Sequence, residues 1–483
     1  MRLLKPTRLA TILALVLIGI YIAVLSYLSI NRFQSMNAHY YDLGIMDQVV
    51  FNTSKGRLLR MTDPDIATNT SRLSVHFDPI LVIFSPLYKI VASPINLLVA
   101  QSVILGLGGF AVYLIGRRVL KNSWHSLLFV FLYLNYYPLQ AANLFDFHAV
   151  TVATTALLFA YYFLALKPIK ESVINYLLGT ICIVVTILSK ENASLVVGCL
   201  FGYLYYTNRK KKIYLVLSVV SVVSFFLVVF QLIPMFRSSS SFALSYFDLH
   251  EPLTLVRRFF SYDSYLYVRK LFTPLSFLPL LSPLHLFIVL PELLINILSS
   301  NSNLRDLHFH YTSMITPFLI IASIYGFEKV RGYVFNAKKL MRGVFVILIV
   351  TSVLSTLYDG TIAQAASLKV NRETLAEVMF WRNQLGNQQI RISTTGTIAP
   401  FFTEHRRYYY FLFDPAFVNQ GKSVELIRKQ IDNYKKAEYV IIREEDVALN
   451  DPLIREHYDR LKNDTDYIKI SDRRTIEVYR KVK

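Results

Sequence analysis

The sequence predicts a polytopic α-helical membrane protein, with about eleven transmembrane helices and a small C-terminal α/β domain. Three observations predict it. The chain is 54% hydrophobic and only 17% charged, with a mean hydropathy of +0.41, whereas a soluble chain carries about a quarter charged residues. It is punctuated by apolar runs of the length that crosses a bilayer as a helix. Its Lys and Arg residues also alternate in density from one inter-run loop to the next, as cytoplasmic and outer loops do.

The basic N-terminus leads into an apolar run from Leu9 to Ile30. That run is too long for a signal-peptide core and no small-residue cleavage site follows, so it is the first crossing. Further crossings fall near 95–116, 124–141, 149–166, 173–189, 192–207, 213–234, 311–327 and 341–358. The stretch 271–298 holds Pro274, Pro279, Pro283 and Pro291. Proline breaks or kinks a helix, so this stretch reads as two short crossings meeting near Ser282 and Pro283.

With the N-terminus inside, loops 1–8, 117–123, 167–172, 208–212 and 328–342 hold seventeen Lys and Arg against two acids, Glu171 and Glu328. The opposite loops hold thirteen basic residues against eleven acids. This places the N-terminus in the cytoplasm and the C-terminal segment outside. Much of the net charge of +19 is therefore topological, and nucleic-acid binding is not implied. Cys182 and Cys199 both sit in apolar runs, so no disulfide framework is indicated.

The expected organisation is a transmembrane domain over 1–358, with a long first outer loop at 31–94, and an extracytoplasmic α/β domain over 360–483. In the latter, helix-like 372–385, 400–404, 424–436 and 454–462 alternate with strand-like 389–393, 407–411 and 438–442. A hairpin, 467–470 and 475–480, closes the chain around Asp472-Arg473. The domain has no glycine-rich phosphate loop and reads as a lid or binding platform without catalysis rather than as a catalytic domain. A surface helix is expected at 80–91, too short to span.

The ionisable residues near span ends gather on the outer side. The first outer loop carries Asp42, Asp47, His76 and Asp78; the second, Asp146 and His148; the third, Lys190 and Glu191; the fifth, His308 and His310. Carboxylates and histidines partly screened from water have shifted pKa values and serve as acid or base. Each also has a plainer role. Asp42 is placed to cap the helix of its apolar run, and Asp47, five residues on, faces another side of that helix. His76 and Asp78 fit an interfacial turn, Asp146 and His148 a cap of the next span, and Lys190–Glu191 a surface ion pair. The pairs His76-x-Asp78, Asp146-x-His148 and His308-x-His310 supply ligand types suited to a divalent cation, without a diagnostic spacing. Serine-hydrolase, Walker and His-Glu-x-x-His signatures are absent.

The string Tyr41-Asp42-Leu43-Gly44-Ile45-Met46-Asp47-Gln48, with His76-Phe77-Asp78-Pro79, Phe147-His148, Lys190-Glu191-Asn192 and His310-Tyr311, resembles a prokaryotic family of predicted membrane proteins, domain of unknown function 2079. Segments Arg391–Tyr410 and Glu438–Arg443 fit it as well, so the likeness spans nearly the whole chain. One departure is Asn192, where an acid is expected after Lys-Glu. The family in turn resembles the GT-C glycosyltransferases, which have many spans and use polyprenyl-phosphate sugars as donors. The resemblance implies a multi-pass protein of the cell membrane that transfers sugar to an extracytoplasmic glycan, lipid or protein acceptor. It also implies a catalytic base soon after the first span, at Asp42. Lys190, then Arg257 and Arg258, are the cations expected to steady a phosphate leaving group. Two rivals stand beside this reading: a transporter or lipid flippase, and a noncatalytic envelope scaffold. The loop 236–270 is rich in Tyr and Phe, which stack on sugars or form an interfacial aromatic belt.

Overall fold

The computed structural model describes residues 6–64, 67–167, 172–237, 252–333, 338–411, 432–472 and 475–482. Two compact units divide the chain. The first comprises Met1–Ser29, Ser74–Ile80 and Val99–Ser367; the second comprises Ile30–Leu73, Leu81–Leu98 and Leu368–Lys483. Much of the loop 31–94 thus packs with the C-terminal segment in one unit.

The first unit is a bundle of apolar helices. Among the described residues, four helices are long and apolar enough to cross a membrane: Thr7–Gln34, Ile95–Leu120, Ile213–Arg237 and Lys339–Asp359. In Ile95–Leu120 the most apolar window is 61% buried, against 28%, 17% and 11% in the other three. Ile95–Leu120 is therefore the central member, and the others turn apolar faces such as Leu15, Ile20, Val216, Val219 and Leu354 outward. Water would penalise those faces; lipid does not. Shorter apolar helices cover Ser123–Leu134, Val150–Leu166, Val173–Ile187, Ala193–Thr207 and Pro283–Leu298. Asn122 and Ser172 begin two of them by accepting backbone N–H bonds, from Trp124 and His125 and from Ile174, which fills donors that a helix start leaves open.

Three expected crossings take a different form. The run 124–141 is split into Ser123–Leu134 and Tyr137–Leu144, because Pro138 lacks an N–H and fits only a first turn. The crossing expected at 311–327 starts at Thr316 and runs to Tyr333, with Pro317 at its second residue, a position proline tolerates. In 271–298, Leu271 and Phe272 end the helix Tyr262–Phe272, and Pro283–Leu298 is α-helical. The part between them is two 3-10 turns, Thr273–Leu275 and Leu278–Leu281, joined through Ser276 and Phe277 in the left-handed region. Irregular backbone of this kind survives at membrane depth when protein covers it. Here the helix Thr316–Tyr333 does so: a Cβ on Gly326 would stand 2.2 Å from the Leu278 carbonyl oxygen.

The second unit holds both sheets. Strands β1 (Arg60–Thr62) and β2 (Asn69–Ser71) form an antiparallel pair. Strands β3 (Ile392–Thr394), β4 (Tyr408–Tyr410), β5 (Tyr439–Arg443), β6 (Tyr467–Asp472) and β7 (Ile476–Lys481) form a mixed sheet in the order β4-β3-β5-β7-β6. β3 runs parallel to β4 and β5, whereas β7 is antiparallel to β5 and β6. The alternation Val440/Ile442 puts one face of β5 into a core with Tyr409, Phe411, Ile454, Tyr458 and Tyr479. The expected helices at 372–385 and 454–462 are present as Arg372–Gln384 and Pro452–Lys462. Expected helix 400–404 is a single 3-10 turn, Ala399–Phe401. Strand 389–393 shortens to β3 because the Arg391 N–H is taken by the Glu438 carboxylate, at 2.8 Å, rather than by a ladder. Of the expected helix 424–436, only Asp432–Lys436 is described, as a 3-10 turn; 424–431 and Arg473 lie outside the described residues. The surface helix expected at 80–91 is present as a 3-10 turn to Phe84 and the helix Ser85–Ile90. It buries Tyr88 and leaves Ile83, Leu87 and Ile90 exposed.

Candidate functional site

In the first unit, four loops meet at one end of the bundle. The Ile80 N–H donates to the Leu188 carbonyl, which brings the segment 74–80 against the turn that joins helices Val173–Ile187 and Ala193–Thr207. There His76 Nδ1 lies 3.0 Å from Glu191 Oε1, and the Phe77 N–H donates to Oε2 at 3.1 Å. Glu191 is buried. Burial alone would raise its pKa, but the facing His76, their hydrogen bond and the charge of Lys190 hold it down at about 2. A carboxylate so held is a hydrogen-bond acceptor, so the His76 nitrogen that faces it, Nδ1, carries the proton.

Lys190 stands with its Nζ 5.1 Å from the centre of the Tyr311 ring. Among the described residues it makes no hydrogen bond or ion pair. Asn192 donates to Glu292 Oε2 at 2.7 Å, so the residue found where an acid was expected anchors one instead. The His310 ring lies 4.4 Å from that of Tyr311 and stacks on His148 at 3.6 Å and 16°. His76, Glu191, Lys190, Tyr311, His310 and His148 thus form one continuous patch. Gln101, buried in the central helix, shapes it: its amide donates to the carbonyls of Ala142, Asn143 and Asp146 and accepts from the His148 N–H. Gln101-Ser102 inside an apolar span was the sequence signal for that role, since buried polar groups there must be satisfied. Asp78 and Asp146 are buried at this end.

Three expected members stand apart from the patch contacts. His308 is half exposed and faces Asp306 at 2.7 Å and Asp359 at 3.5 Å. Arg257 is exposed on the helix Pro252–Phe259, and Arg258 donates to the Leu298 carbonyl. In the aromatic loop 236–270, Tyr246 and Phe247 lie outside the described residues, while Phe259, Phe260, Tyr262 and Tyr265 are exposed and Tyr267 is buried. Among the described residues, no three His, Cys, Asp or Glu side chains converge as a metal site.

In the second unit, Asp42 lies in a single π-helical turn, Tyr40–Gly44, that opens the helix Ile45–Ser54. It is not that helix's N-cap. Such π-turns are rare and frequent at functional sites, because they redirect a side chain. The turn is fixed from both sides. A Cβ on Gly44 would meet Tyr40 at 2.9 Å, and one on Gly396 would meet His39 at 2.1 Å, while the Tyr40 N–H donates to the Gly396 carbonyl. His39, Tyr40 and Tyr41 pack on Tyr410, and Tyr40 on Tyr408, so half-buried Asp42 sits in a turn built of aromatic rings. The run Tyr408-Tyr409-Tyr410 was legible as a strand but not as this wall.

Asp47 is differently placed. It is fully buried, accepting from the Tyr88 hydroxyl at 2.6 Å and from Thr403 at 2.8 Å. Burial and the nearby Glu404 raise its pKa despite these bonds. Arg382 forks onto both Glu404 oxygens at 2.8 Å. Asp47 therefore ties three segments together.

Taken together, the chain has the multi-helix membrane fold of the GT-C type, with a small C-terminal sheet. It belongs to the family described as "Predicted membrane protein (DUF2079)", which matches residues 32–472. Among solved structures, it resembles ArnT from Cupriavidus metallidurans bound to undecaprenyl phosphate: TM-score 0.57, 13% identity, over 97% of this chain and 98% of that one. The apo state of the same protein gives TM-score 0.57 at 12% identity, over 98% of each chain. At such identities the likeness is one of fold. No curated protein matches the chain.

Proposed function

We propose that the protein is a GT-C-type glycosyltransferase that moves a sugar from a polyprenyl-phosphate donor to an extracytoplasmic acceptor, with inversion. The observation that carries this reading is the fold shared along nearly the whole chain with ArnT, a protein seen bound to undecaprenyl phosphate. Asp42 takes the proton from an acceptor hydroxyl. The acceptor oxygen then bonds to the anomeric carbon as the bond from that carbon to the phosphate oxygen breaks, and the lipid phosphate leaves with the electron pair. A cation must meet that developing charge. The N-terminus lies in the cytoplasm and the C-terminal segment outside.

The test is Asp42→Asn in vesicles supplied with a polyprenyl-phosphate sugar. Loss of a general base lowers transfer by about a hundredfold or more, with protein level and thermal stability unchanged. Transfer that persists undiminished would sink the proposal. Uptake of a solute that survives the substitution would favour transport instead.

A further inference from the structure

The second unit contains a half-open cleft of about 350 Å³ between the β1–β2 hairpin and β4, lined among others by Thr62, Asn69, Arg391, Arg407, Tyr409 and Lys436. Its volume falls within the usual range for small-ligand sites. Three of the described lining residues are cations. Arg391 is only loosely matched, 3.6 Å from Glu438, and Lys436 reaches the Ala67 carbonyl at 3.4 Å. Among the described residues, the Arg407 side chain makes no hydrogen bond or ion pair. A concave surface lined by three cations is suited to a dianion.

The wall is built rather than incidental. Thr62 accepts from Gln48 and from the Tyr408 N–H and lies opposite Asn69 in the hairpin, so hairpin and strand are pinned to each other. Side chains alternate along a strand. β4 accordingly gives Tyr408 and Tyr410 to the rings around Asp42 and Tyr409 to the cleft.

We infer that this cleft binds a phosphorylated sugar. A phosphate monoester carries close to two negative charges and three acceptor oxygens, which suits two guanidinium forks and an ammonium better than one carboxylate would. The Asn69 amide and the Tyr409 ring offer a hydrogen-bonding and a stacking surface to the uncharged ring. The inference does not depend on the transfer reaction, since the cleft shares no residue with the groups proposed for it.

Calorimetric titration of the full chain in detergent at low salt tests it, with glucose 6-phosphate, glucose and inorganic phosphate as probes. Saturable binding is expected for glucose 6-phosphate, weaker binding for inorganic phosphate and none for glucose. Arg407→Ala weakens it about tenfold, the loss of one charged hydrogen-bonding group. Arg407→Lys loses less, and Arg406→Ala, beside but outside the lining, loses nothing. Because the Arg407 side chain is bonded to none of the described residues, its removal leaves thermal stability unchanged. No binding, or equal loss in Arg406→Ala and Arg407→Ala, overturns the site. Equal affinity for inorganic phosphate overturns the sugar.

Discussion

Two buried carboxylates, Glu191 and Asp47, respond to pH in opposite senses. Glu191 is held at about 2, below its ordinary 4.5, so its ionised form stabilises the fold by on the order of 3 kcal/mol at neutral pH. That contribution is complete above about 4.5 and is lost as pH falls toward 2. Glu191→Gln cannot serve both His76 and the Phe77 N–H as an anion, and should cost about 3 kcal/mol. Thermal unfolding in detergent checks this: the gap from wild type is wide at pH 7 and closes at acid pH, and equal melting temperatures at pH 7 would refute the pairing. Asp47 has its pKa raised by burial and by Glu404, so it favours the fold below the ordinary carboxylate range and weakens it as pH rises through the raised value. Asp47→Asn keeps the shape between Tyr88 and Thr403 and removes the charge. Its melting temperature should fall less from about pH 5 to about pH 8 than that of wild type, whereas an identical slope in both proteins would show that Asp47 carries no such burden. The sequence displayed both acids as polar residues in an outer loop but not their difference. Glu191 meets His76 across 115 positions and Asp47 meets Thr403 across 356, and no local pattern encodes such pairs.

Helices were largely legible because lipid and protein interiors both demand apolar runs of a certain length. Hydropathy alone located Thr7–Gln34, Ile95–Leu120, Ile213–Arg237 and Lys339–Asp359. The stretch 271–298 was legible only as broken. Its prolines announced the break near Ser282, but Ser276 and Phe277 adopt φ of 49° and 57°, a region that neither residue favours. Tertiary packing imposes that turn, so it left no trace in the sequence. The contact that holds it gives a prediction. Gly326→Ala would drive a methyl to 2.2 Å from the Leu278 carbonyl, and backbone cannot rotate away as a side chain can. The helix Thr316–Tyr333 must then separate from the 3-10 turn, costing about 1–3 kcal/mol as overpacking does. Gly343→Ala, in the helix Lys338–Asp359 with nothing within 4 Å of the new methyl, should be neutral or stabilising by up to about 1 kcal/mol. Comparable melting temperatures for the two variants would mean that Gly326 does not set this approach.

Across the whole molecule, the charge pattern and the loop contacts make one joint prediction. His76–Glu191, Lys190–Tyr311 and His310–Tyr311 bring the loops 74–80, 188–192 and 299–315 to one end of the first unit. The helix Ala193–Thr207 leads away from the turn at 188–192 and is 15 residues long, about 22 Å at 1.5 Å per residue. It leads to Arg209, Lys210, Lys211 and Lys212, a density of cations expected on the cytoplasmic side. Lys210 and His308 are both exposed. The ion pairs of His308 are at the surface and contribute little to the fold, so either position accepts a probe. In a chain with Cys182 and Cys199 replaced by Ser, Lys210→Cys should react with a membrane-impermeant maleimide only after cells are opened. His308→Cys should react in intact cells. Reaction of both from outside would contradict the helix that separates them. The reverse pattern, with Lys210→Cys labelled first, would place the His76–Glu191 patch in the cytoplasm and remove it from any extracytoplasmic chemistry.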